Sequence, residues 1–208
     1  MTPVTTTNPL PVNELPSESP SAITTKSLPQ NQLSAETCRE PITPTDALPE
    51  RLINLPDELV NRPQWVTWRS ERGTKIPYSP TRRGRAKVND PSTWGTFDQA
   101  LQQFLDKQGD DDQFTGMGYV FSDDDPFVGF DLDDCVSGDV IHPDAMALIN
   151  SLDGYAEISP SQTGVKVWVK GALALTTTGT KSRAMWGGML EVYHKGRWFA
   201  TTGMEVDR

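Results

Sequence analysis

The chain has 208 residues and a formal net charge of -9, with 28 acidic side chains against 19 basic ones. This length is enough for one domain of ordinary size with extensions. The acidic balance argues against a protein that binds mainly by attraction to phosphates, although it is compatible with an enzyme that has a local basic groove.

The two cysteines, Cys38 and Cys135, lie far apart and have neither a metal-binding nor a redox spacing. We therefore expect a reducing compartment and no disulfide framework. No apolar run is long enough to span a bilayer, and the N-terminus lacks the basic start and apolar centre of a signal peptide. These features predict a cytoplasmic protein.

Residues 1–48 are predicted to form a disordered extension. They are rich in Thr, Pro, Ser and Asn and show no sustained hydrophobic period. Such a segment buries too little apolar surface to offset the conformational entropy lost on ordering. One globular domain is expected over residues 49–208.

The first half of the predicted domain combines short strands with one clear helix. A short helix in LPDELVNRP precedes strands at residues 64–68 and 75–78, which a turn around Gly73 connects. Apolar residues after Trp94 then recur with the i, i+3, i+4 spacing of an amphipathic helix. Residues 109–112 are expected to end that helix.

The second half of the predicted domain is richer in strands. GMGYVF and PFVGFDLD are aromatic and β-branched, and the acidic turn at residues 122–126 predicts that they form a hairpin. A second helix is expected from Pro143 to Gly154. YAEIS and VKVWV, joined by PSQTG, and LEVY and WFATTG, joined by HKG, predict two further hairpins. This mixture predicts an α+β fold.

Two carboxylates lie on one face of the strand in GFDLDDC. Successive strand residues face opposite sides, so Asp131 and Asp133 share one face while Phe130 and Leu132 share the other, which is expected to pack on helices. Two like charges in a partly dehydrated cleft repel each other, and Mg²⁺ or Mn²⁺ would relieve that repulsion. A solvated sheet face explains the stretch equally well, so both interpretations stay open.

The turn in EISPSQTGVKVWVKG offers groups that bind phosphate oxygens. Ser159, Ser161 and Gly164 present hydroxyls and accessible backbone N–H groups, and Lys166 follows on the next strand. An ordinary hairpin with an exposed lysine accounts for the same pattern. In the later segment EVYHKGRWFATTG, Glu191 is predicted to lie on a strand. An edge-strand hairpin explains this segment adequately.

The order and spacing of these motifs resemble the archaeo-eukaryotic primase-polymerase superfamily, in particular replication proteins of phages and plasmids. The motifs that carry the resemblance span roughly residues 60–204 and are WVTW, TKIPYSP, NDPSTWGTF, GMGYVF, GFDLDDC, YAEISPSQTGVKVWVKG and EVYHKGRWFATTG. The resemblance implies an RRM-like antiparallel sheet with helices on one face, completed by a small N-terminal α/β unit. It also implies a template-dependent nucleotidyltransferase that acts as a DNA primase, a DNA polymerase or both.

The resemblance also implies a role for each motif residue. Asp131 and Asp133 match the family's Asp-x-Asp motif and Glu191 matches its late acidic residue, so these three would be catalytic and would bind two divalent ions, Mg²⁺ or Mn²⁺. The nucleotide-binding residues would be Ser159, Ser161, Gly164, Lys166 and Arg197. Lys166 departs from the family pattern, which usually has histidine there, but a lysine is a good point charge for a triphosphate.

A run of basic residues before the first long helix is predicted to form a nucleic-acid groove. The expected nucleic-acid-binding residues are Lys75, Arg82, Arg83, Arg85 and Lys87. A local positive run attracts nucleic acid with a salt-dependent affinity, whereas a solvated flexible loop explains it equally well. Trp65, Trp68 and Trp94 are expected in the core rather than as platforms for base stacking.

Two other functions are compatible with the same residues. Lys166 in place of histidine leaves open a catalytically degenerate domain that binds nucleotide or single-stranded DNA and recruits other replication proteins. A metal-dependent nuclease shares the acidic cluster, but the PSQTG turn favours a triphosphate substrate. The expected partners are a single-stranded DNA template, NTP or dNTP and a helicase module in cis or in trans, with no membrane, and the chain is expected to be a fragment of a larger protein.

Overall fold

The computed structural model of the chain describes residues 48–52, 54–172 and 179–208. All of these residues lie in one compact unit. The predicted disordered extension over residues 1–48 falls outside the described residues, apart from Leu48. None of the described helices is long and apolar enough to cross a membrane.

Helices are few and strands are many in the described part of the chain. The α-helices are α1 (Leu48–Leu52), α2 (Asp57–Val60), α3 (Phe97–Asp106) and α4 (Pro143–Ser151). The strands are β1 (Trp65–Glu71), β2 (Thr74–Tyr78), β3 (Gly116–Phe121), β4 (Phe127–Leu132), β5 (Val136–Ser137), β6 (Val140–Ile141), β7 (Gly154–Ile158), β8 (Val165–Lys170), β9 (Gly179–Arg183), β10 (Met189–Tyr193) and β11 (Arg197–Thr201). This content agrees with the predicted α+β class.

The strands pair into two large antiparallel sheets and one short hairpin. The four-stranded sheet has the order β11-β3-β1-β2, the five-stranded sheet has the order β7-β8-β4-β10-β9, and β5 pairs with β6. Strands that follow each other in sequence are not always neighbours in space. The pair β3 and β4 is divided between the two large sheets, and so is the pair β10 and β11.

Two of the predicted hairpins are therefore wrong. GMGYVF forms β3, which pairs with β1 and β11, whereas PFVGFDLD contains β4, which pairs with β8 and β10. LEVY and WFATTG contribute β10 and β11, which also belong to different sheets. A tight turn can join two strands of one sheet or carry the chain between two packed sheets, and the local pattern does not distinguish these cases. The predicted hairpin around PSQTG is confirmed, because β7 pairs with β8.

Helices α3 and α4 both begin at residues that favour a helix start. The Thr96 hydroxyl accepts the Gln99 N–H at 3.2 Å, and the Gln99 side chain accepts the Thr96 N–H at 2.9 Å. This capping box satisfies donors that the start of α3 would otherwise leave free. Pro143 suits the first position of α4 because its φ is already helical. Helix α4 ends at Ser151 rather than at the predicted Gly154.

Aromatic side chains fill the space between the two large sheets. Phe199 of β11 lies between Phe121 and Trp168, with ring centroids 4.9 and 5.3 Å away. Gly129 of β4 faces the same rings, and a Cβ there would be 2.6 Å from atoms of both Phe121 and Phe199. The missing side chain therefore lets β4 approach the four-stranded sheet closely. The tryptophans expected in the core are all buried, namely Trp65, Trp68 and Trp94.

The opposite face of the five-stranded sheet packs on α4. Leu132 of β4 is fully buried in one cluster with Ala145 and Ile149 of α4. Strand alternation places Asp131 on the other face, as predicted. The inter-sheet aromatic core contacts β4 at Gly129, and Asp131 follows two positions later on the same face.

Candidate active site: a charged row across the five-stranded sheet

Five charged residues form a row across the five-stranded sheet. The strand register places Glu157 of β7, Lys166 of β8, Asp131 of β4, Glu191 of β10 and Lys181 of β9 opposite one another in this order. Directly opposed residues of antiparallel strands share one face, with Cβ atoms about 5 Å apart. We call these five residues the charged row. Its signs alternate except at the centre, where two carboxylates are neighbours.

The charged row brings together the acidic residues that the sequence analysis selected. Asp131 and Glu191 are direct cross-strand partners, and their side chains are 17% and 14% exposed. Asp133 follows Asp131 by two positions along the chain, and its backbone N–H donates to the Met189 carbonyl oxygen at 2.8 Å. That hydrogen bond joins the end of β4 to the start of β10. The three carboxylates thus lie at one end of the same sheet face.

The crowding of negative charge changes the acidity of Asp133. Burial raises the pKa of this carboxyl above its ordinary value, and repulsion by Asp131 and Glu191 acts in the same direction. Attraction by Lys166 opposes the shift in pKa. The Asp133 carboxyl therefore keeps its proton to a higher pH than an exposed aspartate would.

Lys166 is the buried cation of the charged row. Its ammonium nitrogen lies 2.6 Å from Asp131 Oδ1 and 4.4 Å from the centroid of the Phe199 ring. Although the two charges touch, the approach lacks hydrogen-bond geometry, and Oδ1 has no hydrogen-bond partner among the described residues. The contact is thus an attraction between charges that leaves a buried acceptor of Asp131 unsatisfied.

Lys181 is a member of the charged row that the sequence analysis did not identify. It lies on the edge strand β9, and its exposed ammonium forms an ion pair with Glu191. The hydrogen bond to Glu191 raises the pKa of Lys181. Residues 179–183 show no alternation of apolar and polar side chains, so nothing local marks them as a strand. Only the pairing of β9 with β10 brings Lys181 to the site.

The PSQTG turn between β7 and β8 lies against the end of β4. The hydroxyls of Ser159 and Ser161 are 3.0 Å apart, and the Ser161 hydroxyl is 2.9 Å from that of Thr163. A Cβ on Gly164 would be 2.6 Å from the Leu132 carbonyl oxygen, so glycine is needed for this close approach. The predicted phosphate-binding turn is therefore adjacent to the acidic end of β4.

Lys75 lies on β2 of the four-stranded sheet and interacts electrostatically with the charged row of the five-stranded sheet. Its ammonium lies 5.7 Å from the centroid of the Trp68 ring. The residue as a whole is exposed, yet partial burial of the ammonium lowers its pKa, and repulsion by Lys166 adds to that shift. Attraction by Asp131 and Asp133 opposes it. Lys75 has no ion-pair partner within the described residues, so its charge is available to an anion.

The other residues of the predicted nucleic-acid groove lie on the surface. Arg82 contacts Asp90 at 3.3 Å, and Arg85 contacts Glu71 at 2.7 Å. Exposed ion pairs of this kind contribute little to stability, so the arginines can exchange partners readily. The remaining two residues are exposed, namely Arg83 and Lys87. The role of these four residues in nucleic-acid binding stays a prediction.

Arg197 lies beside the charged row rather than in the phosphate-binding turn. It is exposed at the start of β11, and its guanidinium lies 5.2 Å from the centroid of the Tyr193 ring. Tyr193 is directly opposite Gly129, two positions before Asp131 along β4. Arg197 therefore approaches the site from its aromatic side. Its contact with a nucleotide stays a prediction.

Two further residues of the site escaped the sequence analysis. Trp186, between β9 and β10, donates its indole N–H to the Asp133 carbonyl oxygen at 2.8 Å. Glu157 is fully buried and accepts hydrogen bonds from the backbone N–H groups of Thr202 and Gly203. Strand alternation offered a signal for Glu157, because an acidic residue on the same face as a buried tyrosine is unusual. No local pattern marked Trp186.

The acidic residues of the site suit divalent cations chemically. Mg²⁺ and Mn²⁺ prefer carboxylate oxygens, and Asp131 Oδ1 is a buried acceptor without a hydrogen-bond partner among the described residues. Burial raises the pKa of Asp133, and repulsion by Asp131 and Glu191 adds to that shift. As placed, the described residues contain no group of three or more His, Cys, Asp or Glu side chains that could hold a metal ion. Lys166 and Lys181 contact two of the three carboxylates. In this arrangement lysine ammonium groups are the cations beside these carboxylates, and the binding of divalent ions stays a prediction.

A comparison with known proteins identifies a relative in a bacterial virus. The chain is 39% identical over 146 residues to a protein named DNA Primase-polymerase from Nitratiruptor phage NrS-1. The match covers 69% of this chain and 20% of that protein, so the chain spans about a fifth of the length of this relative. No family model matches the chain. On the strength of this identity, the chain belongs to the primase-polymerase family.

Proposed function

We propose that this chain is a template-dependent nucleotidyltransferase, acting as a DNA primase, a DNA polymerase or both within a replication protein. The proposal rests on the register of β4 and β10, in which Glu191 lies directly opposite Asp131 on the face that also holds Asp133. The relative named DNA Primase-polymerase supports the same activity. The proposed substrates are NTP or dNTP, and the proposed template is single-stranded DNA.

The two large sheets have distinct places in this proposal. The five-stranded sheet is the RRM-like core, with α4 on one face and the charged row on the other. The four-stranded sheet with α3 is the small N-terminal unit, which β11 completes from the other end of the chain. The antiparallel strand order and the apolar cluster beneath α4 support this assignment.

Two divalent ions, Mg²⁺ or Mn²⁺, are the proposed cofactors, and Asp131, Asp133 and Glu191 are their proposed ligands and the catalytic residues. Such ions, when bound, supply a Lewis acid that neutralises the triphosphate and lowers the pKa of the attacking hydroxyl. The chain contributes the rigidity of the ligand set. Both β4 and β10 have a neighbouring strand on each side, and Trp186 holds the Asp133 backbone by a hydrogen bond of 2.8 Å.

Lys166 is the proposed contact for the phosphates of the incoming nucleotide. Its contact with Asp131 lacks hydrogen-bond geometry, so its flexible side chain can turn to a phosphate oxygen without losing a hydrogen bond. Ser159, Ser161 and Gly164 offer hydroxyls and backbone N–H groups beside it. Arg197 completes the proposed nucleotide-binding set from the aromatic side of the site.

Basic residues of the four-stranded sheet and the following loop are proposed to bind the template. Lys75 has the strongest support, because it is unpaired within the described residues and is coupled to Asp131 and Asp133. The remaining members of the set are Arg82, Arg83, Arg85 and Lys87. With a net charge of -9, such binding depends on a local patch and weakens as salt is added. A helicase module in cis or in trans is the proposed partner.

Synthesis on single-stranded DNA tests the proposal. Labelled NTP or dNTP is supplied with unprimed and primed templates and with Mg²⁺ or Mn²⁺, and we expect elongated products and release of pyrophosphate. Asp131→Asn combined with Asp133→Asn keeps the side-chain shapes and is expected to lower the rate about 100-fold or more. The matched control is Asp123→Asn combined with Asp124→Asn, which removes the same charge from the exposed β3–β4 turn.

The control variant is expected to retain its activity. A folded Asp131→Asn, Asp133→Asn protein that polymerises at the wild-type rate would show that these carboxylates do not bind the metals. Activity that both double variants lose equally would show that the effect is one of net charge rather than of the site.

A catalytically degenerate domain that binds nucleotide or single-stranded DNA is the second candidate function. It is favoured by the lysines, since Lys166 and Lys181 contact Asp131 and Glu191 and compete with cations for them. Intact binding of template or nucleotide, combined with no synthesis under either metal, would select this alternative.

A further inference from the structure

Glu157 is a fully buried carboxylate at one end of the charged row. One of its oxygens accepts the Thr202 backbone N–H at 2.9 Å, and the other accepts the Gly203 backbone N–H at 3.0 Å and the Tyr155 hydroxyl at 3.1 Å. All three partners act as donors, which suits an ionised carboxylate, because that group only accepts hydrogen bonds. Neither the proposed metal ligands nor the proposed nucleotide-binding residues include Glu157.

The position of Glu157 is fixed by the segment that follows β11. The Thr202 hydroxyl donates to the Ile158 carbonyl oxygen at 2.7 Å, and the Ile158 N–H donates to the Met204 carbonyl oxygen at 2.8 Å. This segment therefore runs along β7 and carries the backbone donors that hold the carboxylate. A carboxylate bonded by backbone on both oxygens does not follow a moving partner, so Glu157 is a stationary charge.

Lys166 lies between two acidic members of the charged row. The register places it opposite Glu157 on one side and opposite Asp131 on the other. Lys166 is only 7% exposed, and a buried ammonium needs a negative neighbour to offset its lost hydration. Asp131 supplies the close contact at 2.6 Å, and Glu157 is directly opposite on the other side.

We propose that Glu157 is a positioning residue, the stationary counter-ion that retains Lys166 in the site when Asp131 serves as a metal ligand. The inference rests on the proposed function, in which Asp131 binds a cation and Lys166 turns to the triphosphate. Asp131 then no longer compensates the ammonium, whereas Glu157 keeps its place beside it. A neutral imidazole at this buried position would need no counter-ion, whereas the ammonium of a lysine does. Glu157 supplies that counter-ion.

A double-mutant cycle on triphosphate binding tests this role. At pH 8, where Glu157 is mainly ionised, calorimetry measures the binding of ATP and of dATP with Mg²⁺, without template, to the wild-type chain, Glu157→Gln, Lys166→Met and the double variant. We expect Glu157→Gln to weaken binding about 10-fold when Lys166 is present and less than about two-fold when it is methionine. A residue that only stabilises the fold would weaken binding equally in both backgrounds.

Two variants control the experiment. Glu205→Gln removes a charge from an exposed residue whose backbone pairs with that of Glu157 in an isolated β-bridge. It is expected to leave triphosphate binding unchanged in both Lys166 backgrounds. Glu157→Asp keeps the charge but shortens the side chain by one methylene. The affinity of this variant for ATP and dATP is expected to lie between those of the wild type and Glu157→Gln. Glu157→Asp also replaces Glu157→Gln in the cycle if circular dichroism shows that the glutamine variant does not fold.

The possible outcomes separate this inference from the proposed function. Equal losses of affinity in the two Lys166 backgrounds overturn the positioning role of Glu157 and leave the proposed function intact. A folded wild-type chain that binds neither ATP nor dATP overturns the proposed function, and the role of Glu157 with it. A loss that depends on Lys166 supports both.

Discussion

Burial of Glu157 makes the stability of the fold depend on pH in a way that one substitution removes. Burial raises the pKa of this carboxyl from 4.5 to about 7, against the hydrogen bonds from Thr202 and Gly203 and the attraction by Lys166. The folded state therefore holds the proton more tightly than the unfolded chain. The resulting stabilisation is complete below about pH 4.5 and is lost as the pH rises through 7. A shift of this size corresponds to about 3 kcal/mol.

Urea unfolding of the wild type and of Glu157→Gln at pH 5 and pH 8 measures this effect. The glutamine does not titrate, so between these pH values we expect the unfolding free energy of the wild type to fall by about 2 to 3 kcal/mol more than that of the variant. The other titratable groups are common to both proteins, and any direct cost of the amide acts at both pH values. Parallel pH dependences would refute the reasoning, because they would mean that Glu157 has the same pKa in the folded and the unfolded chain.

The same carboxylate thus lowers stability under the conditions in which it serves as a counter-ion. Above pH 7 Glu157 is mainly ionised, which suits Lys166 but leaves a buried charge in the fold. Such a cost is expected where a functional site needs a charge that packing alone would exclude.

Two further substitutions test the packing and the electrostatics of the site. Gly129→Ala places a methyl group 2.6 Å from ring atoms of Phe199. We expect it to lower the free energy of unfolding by about 1 to 3 kcal/mol in urea, and unchanged stability would contradict the close approach of the two sheets. Lys181→Met removes the ammonium that pairs with Glu191, so the affinity for Mn²⁺, followed by electron paramagnetic resonance, is expected to rise about two- to five-fold. Lys170→Met, which alters a comparably exposed lysine, is expected to leave Mn²⁺ binding unchanged, and an equal rise in both variants would contradict a specific competition.

The sequence by itself determined most of the elements and the faces of the central strand. The alternation in residues 127–132 separated Asp131 from Leu132 correctly, because side-chain direction in a strand depends only on position along it. Pro143 marked the start of α4 for the same kind of local reason. The motif order also identified the family, although the catalytic, metal-binding and nucleotide-binding roles of the site residues stay predictions.

Apart from the hairpin of β7 and β8, only the tertiary structure decided which strands are neighbours. The turn at residues 122–126 is equally compatible with a hairpin and with a crossing between sheets, and the crossing is what the fold adopts. The pairing of β10 with β4 placed Glu191 opposite Asp131, and the pairing of β9 with β10 added Lys181 from a polar edge strand. Register depends on which apolar faces are buried together. Aromatic packing between the two sheets supplies that information, and no local pattern contains it.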